Sequence, residues 1–270
     1  MDTALGNQAR GGIVYAARIG YAAEGVVYGV LGVLALMVAF GEANGRLTDS
    51  KGAIEAIGDQ PLGTFLLWAT AVGLLCYAVW NAVCAALDPE HKGSDGKGLV
   101  KRIGYGASAL GHVALSFYAA QLAYGSRASG HGQTWVARLL HVPFGEVLIG
   151  LVGAVAIGFG VAQIYIAAKG KVGHQYASAA LDPTIKRVSH RVARIGVLAR
   201  GLVFPVIGSS LIAAAWHHDP GEASGFGEAL GSLARGPFGA WLLTFVAAGL
   251  FAYGVHLFFV ARYGKLPAPR

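Results

Sequence analysis

Charge is scarce in this chain of 270 residues: Asp, Glu, Lys and Arg make up 13% of it, about half the share of an ordinary soluble domain. With 55% hydrophobic residues and a mean hydropathy of +0.54, it cannot be a disordered chain. Cysteine is nearly absent, and two residues cannot staple a disulfide scaffold of this length. Cys76 and Cys84 lie about 12 Å apart by rise on one predicted helix, too far to bond to each other. The stretch Gly93 to Gly98 lacks the Gly-Lys-Ser/Thr ending of a phosphate loop. No dinucleotide fingerprint, metal-binding cysteine motif or serine nucleophile elbow occurs. The sequence therefore gives no support to an enzyme, and a site assembled across helices is the form of chemistry left open.

What is abundant is glycine, 41 of 270 residues without a collagen period, and long apolar runs. Six segments reach the roughly 20 residues that a helix needs to cross hydrocarbon: Ile19 to Phe40, Leu62 to Ala86, Ile103 to Tyr124, Phe144 to Ala168, Ile195 to Trp216 and Phe238 to Ala261. They lack the strict alternation of barrel strands. An internal repeat orders them. Arg18-Ile19-Gly20 recurs as Arg102-Ile103-Gly104 and Arg194-Ile195-Gly196, and Pro61, Pro143 and Pro237 open the even spans. Tyr77-Ala78-Val79, Phe159-Gly160-Val161 and Tyr253-Gly254-Val255 begin 16 residues after those prolines. The expected fold is all-α and integral to the membrane: six transmembrane helices as three tandem hairpins, residues 17–88, 101–169 and 193–263, with pseudo-threefold symmetry along the membrane normal. Residues 1–16 and 264–270 are tails, and the first span, as a copy of the third and fifth, is expected to be retained rather than cleaved as a signal peptide.

These marks resemble the family called domain of unknown function 1206, bacterial membrane proteins built from tandem two-helix repeats. The resemblance runs from about Ala17 to Tyr263 and rests most firmly on the Arg-Ile-Gly starts and on Pro61 through Gly73 to Tyr77, echoed from Pro237 through Gly249 to Tyr253. The middle copy departs, with Val155 where the outer copies have glycine. The resemblance implies a multi-pass protein of a bacterial inner membrane and implies no activity.

Lys and Arg outside the spans number 15 on one side and 5 on the other. The positive-inside rule then places both termini in the cytoplasm of a cell-membrane protein. The net charge of +7 marks that face and its anionic lipid, and needs no nucleic acid. The basic segment Lys186-Arg187 with His190-Arg191 reads either as a topological signal or as a patch for a partner or headgroup. Apolar stripes precede each proline: Ala53, Ile54 and Ile57; Trp135, Val136, Leu139 and Leu140; Phe226, Leu230 and Leu233. Their spacing predicts short amphipathic helices in the outer interface, with proline starting the next span and Trp135, Trp216 and Trp241 in an aromatic belt. Gly25, Gly29 and Gly32, and Gly201, Pro205 and Gly208, form small-residue faces suited to close helix contact. Pro205 also frees the carbonyl of Gly201.

One polar residue of every span falls six or seven residues from the cytoplasmic boundary: Glu24, Asn81, Ser108, Gln163, Arg200 and His256. Six residues rise about 9 Å, so these side chains share one intramembrane layer. Glu24, Ser108 and Arg200 hold the same repeat position, and an unpaired charge there costs at least about 2.5 to 3.5 kcal/mol. The expected remedy is an ion pair between Glu24 and Arg200, direct or through Ser108 or His256. Competing readings are a layer that only fixes helix register and an arginine that snorkels to the boundary. His112, one turn deeper at the position of Tyr28 and Phe204, is a hydrogen-bonded core residue or an added ligand. A haem between His112 and His256 is the cofactor alternative, set against no predicted cofactor beyond bound lipid. His217 and His218 beside Asp219 read as solvated outer residues, and no metal site is predicted. Three functions follow: a scaffold or accessory subunit docking another membrane protein, a pathway for a small polar solute, ion or proton around Glu24 and Arg200, or a cofactor carrier.

Overall fold

The computed structural model describes residues 2–126, 135–172 and 182–267, with side chains from residue 11 onward. Arg127 and Arg270, counted in the charge balance, lie outside the described residues, as do the side chain of Arg10 and parts of the loops beside Gly125 and Val172. The described residues form α-helices and one 3-10 turn, Pro220–Glu222, with no strand among them. The helices are α1 (Asp2–Ala39), α2 (Ser50–Gly58), α3 (Gly63–Leu87), α4 (Gly96–Ala123), α5 (Trp135–Leu140), α6 (Gly145–Ala168), α7 (Pro183–His217), α8 (Phe226–Arg235) and α9 (Gly239–Tyr263).

Among the described residues five helices are long and apolar enough to cross a membrane: Gly11–Ala39 of α1, then α3, α6, α7 and α9. The third expected span does form a helix, α4, but no stretch of it is apolar enough to join these five, for it carries Tyr105, Ser108, His112, Ser116 and Tyr118.

The three apolar stripes are helical, as α2, α5 and α8. Their inner faces bury Ala53, Ile54 and Ile57, Val136, and Leu230, while Trp135 stays exposed. Asp49 caps α2 by accepting the amides of Lys51 and Gly52 at 3.0 and 3.1 Å. The prolines after these helices do not themselves start the next span. Helices α3, α6 and α9 begin two residues later, at Gly63, Gly145 and Gly239. The intervening Leu62, Phe144 and Phe238 are left-handed, with φ of 65°, 62° and 57°, and all three are exposed. The sharp turn drives the following glycine against the end of the short helix: a Cβ on Gly63, Gly145 or Gly239 would strike the carbonyl of Gly58, Leu139 or Ala234. Gly239→Ala is therefore expected to lower stability by about 1 to 3 kcal/mol, read as a lower thermal unfolding midpoint in detergent.

The long helices pack in a repeated pattern. The second helix of each repeat lies against the first helix of the next: α3 on α4, α6 on α7, and α9 back on α1. Small residues make these contacts close. An added Cβ on Gly254 would lie 2.7 Å from the Gly25 carbonyl oxygen and 2.8 Å from the Gly29 nitrogen, and one on Gly153 would lie 2.7 Å from the Gly208 oxygen. The two predicted small-residue faces are thus the α1–α9 and α7–α6 contacts, as packing without a hydrophobic drive between helices requires.

Within repeats, α1 packs on α3 and α7 on α9, whereas the backbones of α4 and α6 stay apart. Glycine explains the difference. Gly20 lies against Tyr77 and Gly196 against Tyr253, where an added Cβ would sit 2.6 Å from each tyrosine Cα. Gly73 and Gly249 leave room for the methyls of Ala23 and Ala199, which a Cβ at either glycine would strike. In the middle repeat the equivalents are Gly104, with no atom within 4 Å of an added Cβ, and Val155, 64% exposed. A branched side chain occupies the position where the outer hairpins close on glycine, and the middle hairpin is open.

Candidate membrane-embedded site

The Arg-Ile-Gly motif positions the site from the end of the bundle where each repeat begins. Arg18 donates to the carbonyls of Ala261 and Arg262 at 2.6 and 2.9 Å. Arg102 donates to those of Ala85 and Ala86 at 2.8 and 2.9 Å, and Arg194 to that of Ala168 at 3.1 Å. Each arginine opening a repeat thus satisfies the last carbonyls of the helix packed beside it, where a cation also complements the helix dipole.

About three turns along from these arginines lies a ring of aromatic pairs at equivalent positions of the repeats. Tyr28 and Tyr253 have ring centroids 4.7 Å apart, His112 and Tyr77 4.7 Å, and Phe204 and Phe159 4.9 Å. All three meet edge to face, the arrangement ring quadrupoles prefer. Each pair ties the first helix of one repeat to the second helix of its neighbour.

Two charged groups lie within this ring, and they do not pair with each other. The carboxylate of Glu24 meets the imidazole of His112, Oε1 to Nε2 at 3.1 Å. The guanidinium of Arg200 donates through Nη1 to the Tyr253 hydroxyl. It also lies 4.8 Å from the Tyr253 ring centroid, 5.5 Å from those of Phe159 and Phe204 and 5.8 Å from that of Tyr28. The expected Glu24–Arg200 pair is thus replaced by Glu24–His112. His112 takes its place because it extends from α4 at the level of Tyr28, where Glu24 on α1 can reach it.

Proton counting defines the charge of the site. His112 Nδ1 lies 2.7 Å from the backbone oxygen of Ser108, which can only accept, so Nδ1 carries a hydrogen. The 3.1 Å contact between Nε2 and Glu24 Oε1 then needs a second proton, whether it sits on nitrogen or oxygen. Glu24 and His112 together are neutral in either case. Arg200, always protonated, adds a positive charge that this neutral pair does not offset.

The other predicted residues divide. Ser108 joins the cluster, its hydroxyl 3.3 Å from His112 Nδ1. Buried Asn81 returns to its own helix, donating to the Tyr77 carbonyl at 2.8 Å. Gln163 is buried on α6 beside Gly201 of α7. The carbonyl of Gly201 lies against Gly160, within the α6–α7 contact. His256 is buried with its ring 5.8 Å from that of Tyr253. Glu24 Oε2, Gln163 Nε2 and Arg200 Nε are buried without a hydrogen-bond partner. Both nitrogens of His112 face protein oxygens, so a haem iron would have to displace Glu24 or Ser108 to gain that ligand. Among the described residues no three His, Cys, Asp or Glu side chains gather as a metal site. At the other end of the bundle His217 Nδ1 meets Glu222 Oε2 at 2.8 Å, exposed.

Sequence reasoning missed the aromatic lining. Tyr77, Phe159 and Tyr253 serve there only as marks of the repeat, and Tyr28 and Phe204 only as equivalents of His112. Their shared register was the available signal, since three aromatic rings at one repeat position must meet at one level.

A family model described as Domain of Unknown Function (DUF1206) matches residues 19–88, 103–170 and 195–264, one match for each repeat. The chain belongs to this family. A relative in Bacillus subtilis (strain 168), named "Uncharacterized protein YxxB", is 35% identical over 240 residues, covering 88% of this chain and 86% of its own. No solved structure matches. Membership in DUF1206 accounts for the internal repeat and the apolar helices of a multi-pass membrane protein, and assigns no chemistry to the polar layer.

Proposed function

We propose that the protein is a membrane-embedded binding protein for a small anionic ligand, held at Arg200. In this reading all six long helices cross the membrane, with pseudo-threefold symmetry and both termini in the cytoplasm. The equivalent arginine caps and aromatic pairs support the symmetry, and the excess of Lys and Arg on the loops supports the orientation. The observation that carries the function is the uncompensated cation. Glu24 is neutralised by His112, while Arg200 has one hydroxyl and four aromatic rings around it. Rings and a hydroxyl ease the burial of a guanidinium, but an anion would neutralise it outright. The buried donors Arg200 Nε and Gln163 Nε2, both without a partner, suit an acceptor-rich group such as a carboxylate or phosphate.

Arg200→Gln tests this reading. With native mass spectrometry of protein released gently from its membrane, wild type is expected to retain an acidic small molecule, and the variant to lose it at least about tenfold, the value of one charge-assisted contact. Equal retention by both would sink the proposal. A second reading, an accessory subunit docking another membrane protein, draws on α6, which packs on α7 and α5 and exposes Val147, Leu151, Val155 and Tyr165. Co-purification of one stoichiometric partner that covers α6, with no dependence on Arg200, would favour it.

A further inference from the structure

Resting on the reading of Arg200 as an anion site, we propose that its ligand is an anionic amphiphile, an acyl chain bearing a carboxylate or phosphate, which enters sideways from the bilayer through the opening between α4 and α6. The opening is the one break in the cycle of helix contacts, at the hairpin where Val155 replaces the glycine of the outer copies. Its walls are apolar: Ile103, Leu110 and Phe117 on α4, and Val155 and Phe159 on α6, are exposed. That surface matches a hydrocarbon chain and resists a hydrated ion, whose desolvation nothing along these walls would repay. At its inner end stands the cation. Phe159 is 44% exposed, and the Arg200 guanidinium lies 5.5 Å from its ring centroid. A chain lying along α4 and α6 would therefore bring its headgroup to Arg200 without passing through the tightly packed α1–α9 and α6–α7 contacts.

A second apolar groove, of about 1250 Å³, runs along the packed α1 and α3 under α2 and the 43–46 loop, with Phe258 of α9 at its side, and makes the contrast. The cation at its outer end, Arg46, is already paired with Asp59 at 3.3 Å. Charge complementarity thus favours the α4–α6 opening.

The test uses full-length protein in phosphatidylcholine vesicles with two probes, diazirine-bearing palmitate and diazirine-bearing phosphatidic acid, and cross-linked peptides mapped by mass spectrometry. At least one probe is expected to label the facing sides of α4 and α6. Labelling by palmitate alone identifies a free fatty acid as the source, and labelling by phosphatidic acid alone a phospholipid. Gly104→Trp blocks the opening at a position with no neighbour to strike, and should cut this labelling about tenfold while leaving the unfolding midpoint unchanged. Arg200→Gln should cut it to a similar degree. Loss in Arg200→Gln with full labelling in Gly104→Trp overturns the lateral route and spares the anion site. Labelling equal in wild type and Arg200→Gln overturns the anion site itself. Equal labelling by a neutral diazirine lipid overturns the choice of an anionic ligand.

Discussion

Glu24→Leu is expected to cost the folded bundle about 3 kcal/mol or more, and the double replacement Glu24→Leu with His112→Leu to recover most of it. Glu24 is 6% exposed and its carboxylate faces His112, so removing either partner leaves the other polar group buried in a hydrocarbon-like setting. Replacing both by apolar side chains removes the desolvation cost together with the attraction, which is why the double variant should be the milder one. An amide separates charge from hydrogen bonding. In Glu24→Gln the side-chain NH₂ can donate to His112 Nε2 while Nδ1 keeps its bond to Ser108, so the contact survives with both groups neutral. Glu24→Gln should therefore unfold close to wild type, well above Glu24→Leu. Equilibrium unfolding in detergent of the two single leucine variants, the double variant and the amide checks this. Additive losses in the double variant would mean that Glu24 and His112 are not coupled.

The repeat and the short helices between the spans were legible in the sequence, because each depends on spacing along one chain. Arg18, Arg102 and Arg194 could be placed at a common level from their register alone, although that register does not name the carbonyls they cap. Pairing within the layer was not legible. Glu24 and Arg200 share a repeat position, and formal charge favours joining them, but a shared position in the repeat does not make two side chains neighbours. The contact each makes is decided by which side chain reaches it within the bundle: His112 of α4 reaches Glu24, and Tyr253 of α9 reaches Arg200. A histidine and a tyrosine hydroxyl carry no formal charge in a sequence count that would match them to a partner. Pro61, Pro143 and Pro237 show the same limit on a smaller scale. Their position before each span was right, yet the helix start moved two residues along, because Leu62, Phe144 and Phe238 take the left-handed turn.

Val155 carries the second large expectation, since it ties a single departure from the repeat to the shape of the whole bundle. Gly249→Val should open the α7–α9 hairpin as Val155 accompanies the open α4–α6 one. At Gly249 a Cβ would strike the methyl of Ala199, with the Ile195 carbonyl 3.4 Å away, and both belong to a packed helix that has no flexible side chain to yield. Overpacking of this kind costs about 1 to 3 kcal/mol. Valine's better helix propensity returns only a few tenths, so the steric term wins. Spin labels on α7 and α9 should report a longer distance in Gly249→Val by pulsed electron resonance, together with a lower unfolding midpoint. The reciprocal change, Val155→Gly, should shorten the α4–α6 distance, since Ala107 already stands where Ala23 and Ala199 fill the glycine notch in the outer repeats. If Gly249→Val keeps both its spacing and its midpoint, closure of the hairpins does not rest on this glycine, and the open middle repeat needs another cause. If both distances move as expected, one side chain sets whether a repeat is sealed against the bilayer, and the opening beside Arg200 is written into the chain at Val155.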